Sequence, residues 1–206
     1  MCDLPRETVC LYVFPADQCP SDVWMRQAAR HYGRAQGQAW AEGDLRICRT
    51  PRGKPYFPDL PELYVSVTHS GSYCIVALAP CAIGIDLQTH ERFHNENAPE
   101  ANQRYLRLSK RFFHPEEHAY VEQDPVERFF TVWCAKESYV KYTGTGLDDS
   151  LWTYSVLPST TEEFPRWMAQ NVHFSEIHLW EGYSFCICSE RKMEHSVYSF
   201  LEDATE

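Results

Sequence analysis

The sequence lacks a net positive charge. Its 206 residues carry 19 lysines and arginines against 29 aspartates and glutamates, which gives a formal net charge of −10 at pH 7 and a pI near 5.4. Proteins that bind nucleic acid generally need a basic face to neutralise phosphates. We therefore expect no nucleic-acid partner, and any phosphate that the protein binds must be held by a few local cations.

The sequence also lacks a long apolar run and a C-x-x-C pair. No run approaches the roughly 20 apolar residues that span a bilayer, and the N-terminal MCDLPRETVC lacks the basic-then-apolar order of a signal peptide. These absences predict a cytoplasmic protein with no membrane partner. The nine scattered cysteines form no zinc or redox motif, so we expect buried free thiols in a reducing compartment.

The residues that are present predict a mixed fold. With 44% apolar residues, the chain can bury a substantial core. β-branched and aromatic runs predict strands at residues 8–14, 64–68, 73–79, 82–87, 151–157, 171–180, 183–189 and 196–201. Turn-spaced apolar residues predict helices at 21–36, 100–112, 115–122 and 125–142. Because the two kinds of element are mixed without regular alternation, we expect the α+β class, with a polar linker at 90–103 dividing 1–90 from 91–206.

The helix predicted at 125–142 carries an unusual face. Trp133, Glu137 and Lys141 recur every four residues and therefore align on one side, with Lys136 beside them. A surface glutamate–lysine pair is the simplest interpretation of this spacing. The glycines of the following TGTG are typical of a helix C-terminus, because a phosphate-binding glycine loop precedes its helix.

A second candidate acid lies upstream of this helix. Asp86 follows an apolar strand, where a carboxylate either caps a turn or reaches into a cleft. Asp86 and Glu137 together would supply two hard oxygen donors of the kind that hold Mg²⁺ with waters and phosphates. His69, in a predicted turn, and the arginines of residues 21–36 are compatible with a structural role or with phosphate contact.

Four stretches together resemble a known family. RGKPYFP, from a proline-rich and therefore stiff loop at 50–62, is followed by VTHSG, IGIDLQ and WCAKESYVK. Their order and separations resemble those of 4′-phosphopantetheinyl transferases, particularly the longer type that activates surfactin synthetase. The resemblance implies an α+β protein with a pseudo-two-fold arrangement of two similar α/β halves. It places the adenine-nucleotide side of a coenzyme A cleft in residues 1–90 and the helix with the W-x-x-K-E signature in residues 91–206.

The resemblance also implies a set of site residues. Asp86 and Glu137 match the family's magnesium ligands, and Gln88 stands where many relatives have a second acid, so that an amide oxygen would complete the metal site. Glu137 and Lys141 match catalytic residues. The positions that match coenzyme A contacts are Gly53, Lys54 and Pro55 for the adenine nucleotide, Thr68 and His69 for its 3′-phosphate, and Lys136 on the signature helix.

The function implied by the resemblance is a transfer reaction. The 4′-phosphopantetheine group of coenzyme A would move to a serine hydroxyl of an apo acyl or peptidyl carrier protein, with Mg²⁺ as the cofactor and adenosine 3′,5′-bisphosphate as the product. A cytoplasmic monomer is expected. The basic run RYLRLSKRFF either faces the carrier or is an ordinary solvated helix face. Two alternatives stay open: a non-catalytic coenzyme A or nucleotide binder, and a metal-dependent hydrolase of the coenzyme A diphosphate.

Overall fold

The computed structural model describes residues 8–17, 20–90, 98–147, 150–157 and 172–201. Their strands are β1 (Thr8–Pro15), β2 (Cys48–Arg49), β3 (Pro55–Tyr56), β4 (Tyr64–Ser70), β5 (Tyr73–Ala79), β6 (Ile83–Thr89), β7 (His173–Glu176), β8 (Tyr183–Ser189) and β9 (Glu194–Ser199). Their α-helices are α1 (Ser21–Ala35), α2 (Ala98–Phe112), α3 (Pro115–Val121) and α4 (Pro125–Thr143), and short 3₁₀ helices occupy Glu42–Leu45 and Leu151–Thr153. This mixture of elements confirms the predicted α+β class.

The strands form two main sheets, and each sheet contains strands from before and from after residue 90. One sheet has the order β4-β5-β1-β9 and the other β6-β8-β7, while β2 and β3 form a separate ribbon. The pairing of β1 with β9 is parallel, and the other recorded pairs are antiparallel. Because β9 follows residue 90 and β6 precedes it, backbone pairing interleaves the two segments. The division into 1–90 and 91–206 stays a prediction.

The core lies in three apolar clusters that separate four layers. Side chains alternate along β1, so that Tyr12 and Phe14 pack toward α1 while Leu11 and Val13 pack toward the three-stranded sheet. On the far face of that sheet, Cys186 of β8 joins a cluster with the apolar side chains of α2, α3 and α4. The order of layers is therefore helix, sheet, sheet, helices.

One glycine sets the distance between α4 and the sheet beneath it. A Cβ atom built on Gly84 of β6 would lie 2.0 Å from the carbonyl oxygen of Ser138 and 2.3 Å from the backbone nitrogen of Tyr142. Any larger residue would therefore push α4 away from β6. Asp86 lies two residues further along the same strand and faces the same helix, because strand side chains alternate with a period of two.

One predicted element is wrong. Residues 151–157 were expected to form a strand, but the structure has a 3₁₀ helix at Leu151–Thr153 followed by irregular chain. The carbonyl oxygens of Leu151 and Tyr154 accept hydrogen bonds from the Lys136 side chain. A side chain, and not a neighbouring strand, therefore supplies the hydrogen-bond donors for these backbone groups.

Other expectations need adjustment at their edges, among them the strand predicted at 171–180, which in the structure is β7 at His173–Glu176. The hairpin turn is shorter than predicted, since β4 continues to Ser70. Of the predicted linker at 90–103, residues 98–103 belong to α2, and residues 91–97 lie outside the described part of the chain.

The cysteines agree with the expectation wherever the structure describes them. None of the seven described cysteines is in a disulfide with another, and six of them are buried whereas Cys48 is partly exposed. Cys2 and Cys19 lie outside the described residues. Among the helices of the described residues, none combines the length and the apolar character needed to cross a bilayer.

Candidate active site

Helix α4 supplies several of the predicted site residues, and its two ends follow from local sequence. Pro125 stands in the first turn, where its missing N–H leaves no helical hydrogen bond unmade. The helix ends at Gly144, whose φ of 70° is the left-handed conformation that glycine adopts readily. This confirms that the glycine after the helix terminates it.

The carboxylate of Asp86 is contacted by three side chains from three elements. Lys141 of α4 donates from Nζ to Oδ1 over 2.7 Å. Thr68 of β4 donates from Oγ1 to the same oxygen over 3.2 Å, and Gln88 donates from Nε2 to Oδ2 over 2.9 Å. The Asp86 side chain is only 4% exposed, whereas the Lys141 side chain is 30% exposed. In this ion pair the aspartate is therefore buried, and solvent or a ligand can reach the lysine.

Glu137 belongs to the same cluster. Burial raises its pKa from the usual 4.5 to about 7, the negative charge of Asp86 adds to the increase, and Lys141 opposes it. These effects require Glu137 to lie within electrostatic reach of both groups. Lys141 and Asp86, from segments about fifty residues apart in sequence, are in direct contact between β6 and α4, and Glu137 lies one helical turn before Lys141 on the same face of α4.

A cavity of about 200 Å³ borders this cluster, and three cationic residues are among its lining. Lys141 lines it from α4, and Arg52, Gly53, Lys54 and Pro55 line it from the proline-rich loop. The loop is tied to the end of α4, because Nζ of Lys54 donates to the carbonyl oxygen of Tyr142 over 2.7 Å and Arg52 donates to a carbonyl just beyond the helix. Burial lowers the pKa of Lys54. A small cavity with such a lining suits an anionic group.

Lys136 does not join the cluster. Its side chain is fully buried on another side of α4, where Nζ lies 2.9 Å from the Glu117 carboxylate. The same nitrogen donates to the carbonyl oxygens of Leu151 and Tyr154 over 2.6 and 2.7 Å. All three hydrogens of the Lys136 ammonium group are therefore used inside the protein. Lys136 was expected to contact coenzyme A, but in the structure it holds α4 to neighbouring segments.

His69 is also separated from the cluster. Because side chains alternate along β4, its exposed side chain faces away from that of the buried Thr68. The arginines of α1 are elsewhere too. Arg30 forms an ion pair with Glu42, which agrees with a surface role for that residue.

Sequence reasoning missed two functional features of the structure. Glu117, the partner of the signature lysine, was not singled out, although Pro115 followed by an acid two residues later is a helix-start pattern that draws attention to it. Ser66 and Ser70 of β4 were also missed, although Ser-x-Thr-x-Ser places their hydroxyls on the same face of the strand as that of Thr68.

The comparison with known families decides the relationship. Residues 82–188, about half of the chain, match the sequence profile of the 4′-phosphopantetheinyl transferase superfamily. The chain belongs to this superfamily. The matched segment includes Asp86, Glu137 and Lys141 of this superfamily member, whereas the proline-rich loop and β4 precede it.

Individual relatives of this superfamily member cover similar parts of the chain. The 4′-phosphopantetheinyl transferase Sfp of Bacillus subtilis is 30% identical over 119 residues, which are 56% of this chain and 48% of the relative. A putative 4′-phosphopantetheinyl transferase of Synechocystis is 33% identical over 132 residues, covering 56% and 50%. The L-aminoadipate-semialdehyde dehydrogenase-phosphopantetheinyl transferase of Mus musculus is 27% identical over 114 residues, covering 50% and 36%. The chain thus spans about half the length of the curated relatives it matches.

The residues of this superfamily member fit a divalent cation. Among the described residues, no group of three or more acidic, histidine or cysteine side chains is arranged to hold a metal. Two carboxylates are nevertheless enough for Mg²⁺, which commonly takes its other ligands from waters and phosphates. Burial is the main cause of the raised pKa of Glu137, and the negative charge of Asp86 adds to it, so a cation beside both carboxylates would favour their ionised forms.

Proposed function

We propose that this protein transfers the 4′-phosphopantetheine group of coenzyme A to a serine hydroxyl of an apo acyl or peptidyl carrier protein in the presence of Mg²⁺. One observation carries the proposal. Asp86, from before residue 90, contacts Lys141, from after it, on the face of α4 that also carries Glu137, beside a cavity bordered by cations. Relatives named phosphopantetheinyl transferases support the same reaction.

Coenzyme A would occupy a cleft between the segments 1–90 and 91–206. The proline-rich loop lines the cavity from the first segment, and α4 lines it from the second. Arg52, Lys54 and Lys141 offer positive charge to the diphosphate, which matches the chemistry of the ligand. The pseudo-two-fold relation between the halves is part of this proposal. So is a monomeric state, since one chain contributes both sides of the cavity, and so is a cytoplasmic location.

Asp86 and Glu137 would hold Mg²⁺. The amide oxygen of Gln88 becomes a third donor only if its side chain turns, because Nε2 faces Asp86. When bound, Mg²⁺ supplies positive charge that offsets the charge of the diphosphate.

The reaction would proceed as an in-line displacement. The carrier serine oxygen forms a bond to the β-phosphorus as the bond from that phosphorus to the bridging oxygen breaks, and adenosine 3′,5′-bisphosphate leaves. Glu137 accepts the serine proton directly or through a water. Lys141 offers a hydrogen bond to the charge that develops on the phosphoryl and leaving-group oxygens. The protein's contribution is mainly position and charge.

The carrier would contact helix α2. Arg104, Arg107, Lys110 and Arg111 are exposed on this helix in a protein whose net charge is −10. A basic helix face complements an acidic carrier. Reversing Arg107 and Lys110 to glutamate should raise the KM for the carrier and leave the KM for coenzyme A unchanged. The same reversal at Arg34, exposed on α1, is the matched control, and an equal effect there would rule out a specific contact by α2.

The decisive experiment is a mass measurement on the carrier. Wild-type protein, Mg²⁺, coenzyme A and an apo carrier are incubated, and the carrier should gain one phosphopantetheine group. A carrier whose acceptor serine is replaced by alanine should gain none. Binding of coenzyme A without a mass gain would identify a non-catalytic binder, and cleavage of coenzyme A without a carrier would identify a hydrolase. Asp86→Asn should abolish the mass gain.

A further inference from the structure

Three hydroxyl groups of β4 hold the free edge of β6. Ser66, Thr68 and Ser70 accept hydrogen bonds from the backbone N–H groups of residues 85, 87 and 89 at 3.0, 3.1 and 2.9 Å. The opposite edge of β6 pairs with β8. These hydroxyls therefore satisfy N–H groups that would otherwise be buried without a partner, and we call them the hydroxyl ladder.

Thr68 differs from the other two members of the hydroxyl ladder. Its Oγ1 accepts from the N–H of Leu87 and also donates to Oδ1 of Asp86 over 3.2 Å. A threonine hydroxyl has one hydrogen, and here that hydrogen is used on the carboxylate. Because Thr68 is also only 4% exposed, its hydroxyl has neither a hydrogen nor a solvent-facing position to offer a phosphate.

The contact with Thr68 completes the orientation of the Asp86 carboxylate. Oδ1 accepts from Thr68 and Lys141, and Oδ2 accepts from Gln88. These three hydrogen bonds, with the Cys134 thiol of α4 also beside the carboxylate, orient the group for a cation that approaches it. Removing a group that orients a metal ligand in this way typically weakens metal binding by about 10- to 100-fold.

We propose that Thr68 is a positioning residue, which holds the Asp86 carboxylate in place for a divalent cation and does not contact the 3′-phosphate of coenzyme A. The inference rests on the proposed function for the assignment of Asp86 as a metal ligand. It changes the role that the resemblance implies for Thr68, and it assigns to this chain a link between β4 and the metal site.

Thr68→Val separates the two roles, because valine keeps the shape and removes the hydroxyl. Binding of Mn²⁺, measured by electron paramagnetic resonance of the free ion, should weaken by about 10- to 100-fold. Turnover should fall by the same factor with coenzyme A and with 3′-dephospho-coenzyme A. A contact to the 3′-phosphate predicts the opposite pattern, with unchanged Mn²⁺ binding and a loss confined to coenzyme A. Thr68→Ser keeps the hydroxyl and should restore Mn²⁺ binding.

Ser66→Ala is the matched control. It removes a neighbouring hydroxyl of the ladder and leaves the N–H of Ile85 without its acceptor, but it does not touch Asp86. It should lower the free energy of unfolding as Thr68→Val does, without a comparable loss of Mn²⁺ affinity. Should Thr68→Val fail to fold, Thr68→Ala provides the same test. Equal Mn²⁺ affinities in wild type and the Thr68 variant would overturn the inference.

Failure of this inference differs from failure of the proposed function. If the wild type modifies the carrier but the loss of the Thr68 hydroxyl leaves Mn²⁺ affinity unchanged, the inference alone is wrong. If the wild type binds Mn²⁺ through a Thr68-dependent site but adds nothing to the carrier, the proposed function is wrong and the positioning role stands. A wild type that binds no Mn²⁺ overturns the inference.

Discussion

Helix α4 carries two lysine–carboxylate pairs that look alike in sequence and differ in structure. Lys136 pairs with Glu117 at 2.9 Å, and both side chains are fully buried. Lys141 pairs with Asp86 at 2.7 Å, and its side chain is 30% exposed. The two lysines are five residues apart, which separates them by about 140° around a helix. We call the first the closed pair and the second the open pair.

The closed pair has no capacity left for a ligand. Besides Lys136, the Glu117 carboxylate accepts from the backbone N–H groups of His114 and Val156 at 2.9 and 2.7 Å. Burial raises the pKa of Glu117 and lowers that of Lys136, while their mutual contact opposes both shifts. The pair joins α3, α4 and the segment after the 3₁₀ helix at Leu151–Thr153. Its role is to fix the position of α4.

The open pair retains capacity for a ligand. Within the described residues, Asp86 is the hydrogen-bond partner recorded for the Lys141 ammonium group, and that group has three hydrogens. Lys141 also lines the cationic cavity. The comparison teaches that exposure and unused hydrogen-bond donors distinguish a ligand-binding lysine from a structural one. The spacing of lysines in a motif does not reveal either property.

Breaking the closed pair should have the largest effect on stability. Lys136→Met leaves the Glu117 carboxylate buried without its ionic partner, and such a change lowers the free energy of unfolding by about 3–5 kcal/mol. Urea unfolding followed by circular dichroism measures the loss. Adding Glu117→Leu should recover part of it, because an apolar pair often replaces a buried ion pair at little cost. A double variant less stable than Lys136→Met would contradict this account.

Forcing α4 away from β6 should have the next largest effect. In Gly84→Ala the added Cβ meets backbone atoms of α4 at 2.0 and 2.3 Å. We expect a loss of about 1–3 kcal/mol in the free energy of unfolding. Because the displacement separates Lys141 from Asp86, carrier modification should fall as well, even where the variant is folded.

The control for this change is Gly43→Ala. No atom lies within 4 Å of a Cβ at Gly43, so its stability should stay within about 0.5 kcal/mol of the wild type. Equal losses at the two glycines would show that the close approach of α4 and β6 is not what Gly84 permits.

Removing the lysine of the open pair should affect stability less and activity more. Lys141→Met leaves Asp86 with Thr68 and Gln88 as partners, so we expect a loss of about 1–2 kcal/mol in the free energy of unfolding. Carrier modification should fall by at least about 100-fold, because a contact to developing charge is removed. Urea unfolding and carrier mass measured on the same preparation test the contrast. A stability loss equal to that of Lys136→Met would remove the distinction between the pairs.

The sequence predicted the elements that bear these pairs better than the pairs themselves. An apolar run ending in Asp86 predicted β6, and glycine after a turn-spaced segment predicted the end of α4, because both signals are local. The pairing of Lys136 with Glu117 depends on how α3 packs on α4, which no local pattern encodes. The wrong strand at 151–157 has the same origin, since its apolar residues look like a strand while Lys136 satisfies its carbonyl oxygens.

The cluster of site residues was only partly predictable for a related reason. Periodicity aligns Glu137 with Lys141 on one helix face, but it does not show which strand that face meets. The resemblance to a family suggested Asp86, and the structure adds the contacts of Thr68 and Gln88 to its carboxylate. Contacts of this kind come from strand order and from the close approach at Gly84, which are tertiary features.

The last contrast concerns the charge of Glu137, which lies beside the open pair, in metal-free protein. Glu137 has a pKa of about 7 in the folded state against the usual 4.5, so the folded protein holds this proton more tightly than the unfolded chain does. Stability from this group is therefore present below about pH 4.5 and is lost as pH rises to about 7. Glu137→Gln does not titrate. With a chelator present, its stability relative to the wild type should increase from pH 5 to 7.5 and then level off, as measured by urea unfolding.

Saturating Mg²⁺ at pH 7.5 should stabilise the wild type more than the variant, since the ion takes over the role of the proton. A stability difference that stays constant across this range would show that the pKa of Glu137 is not raised in the folded protein.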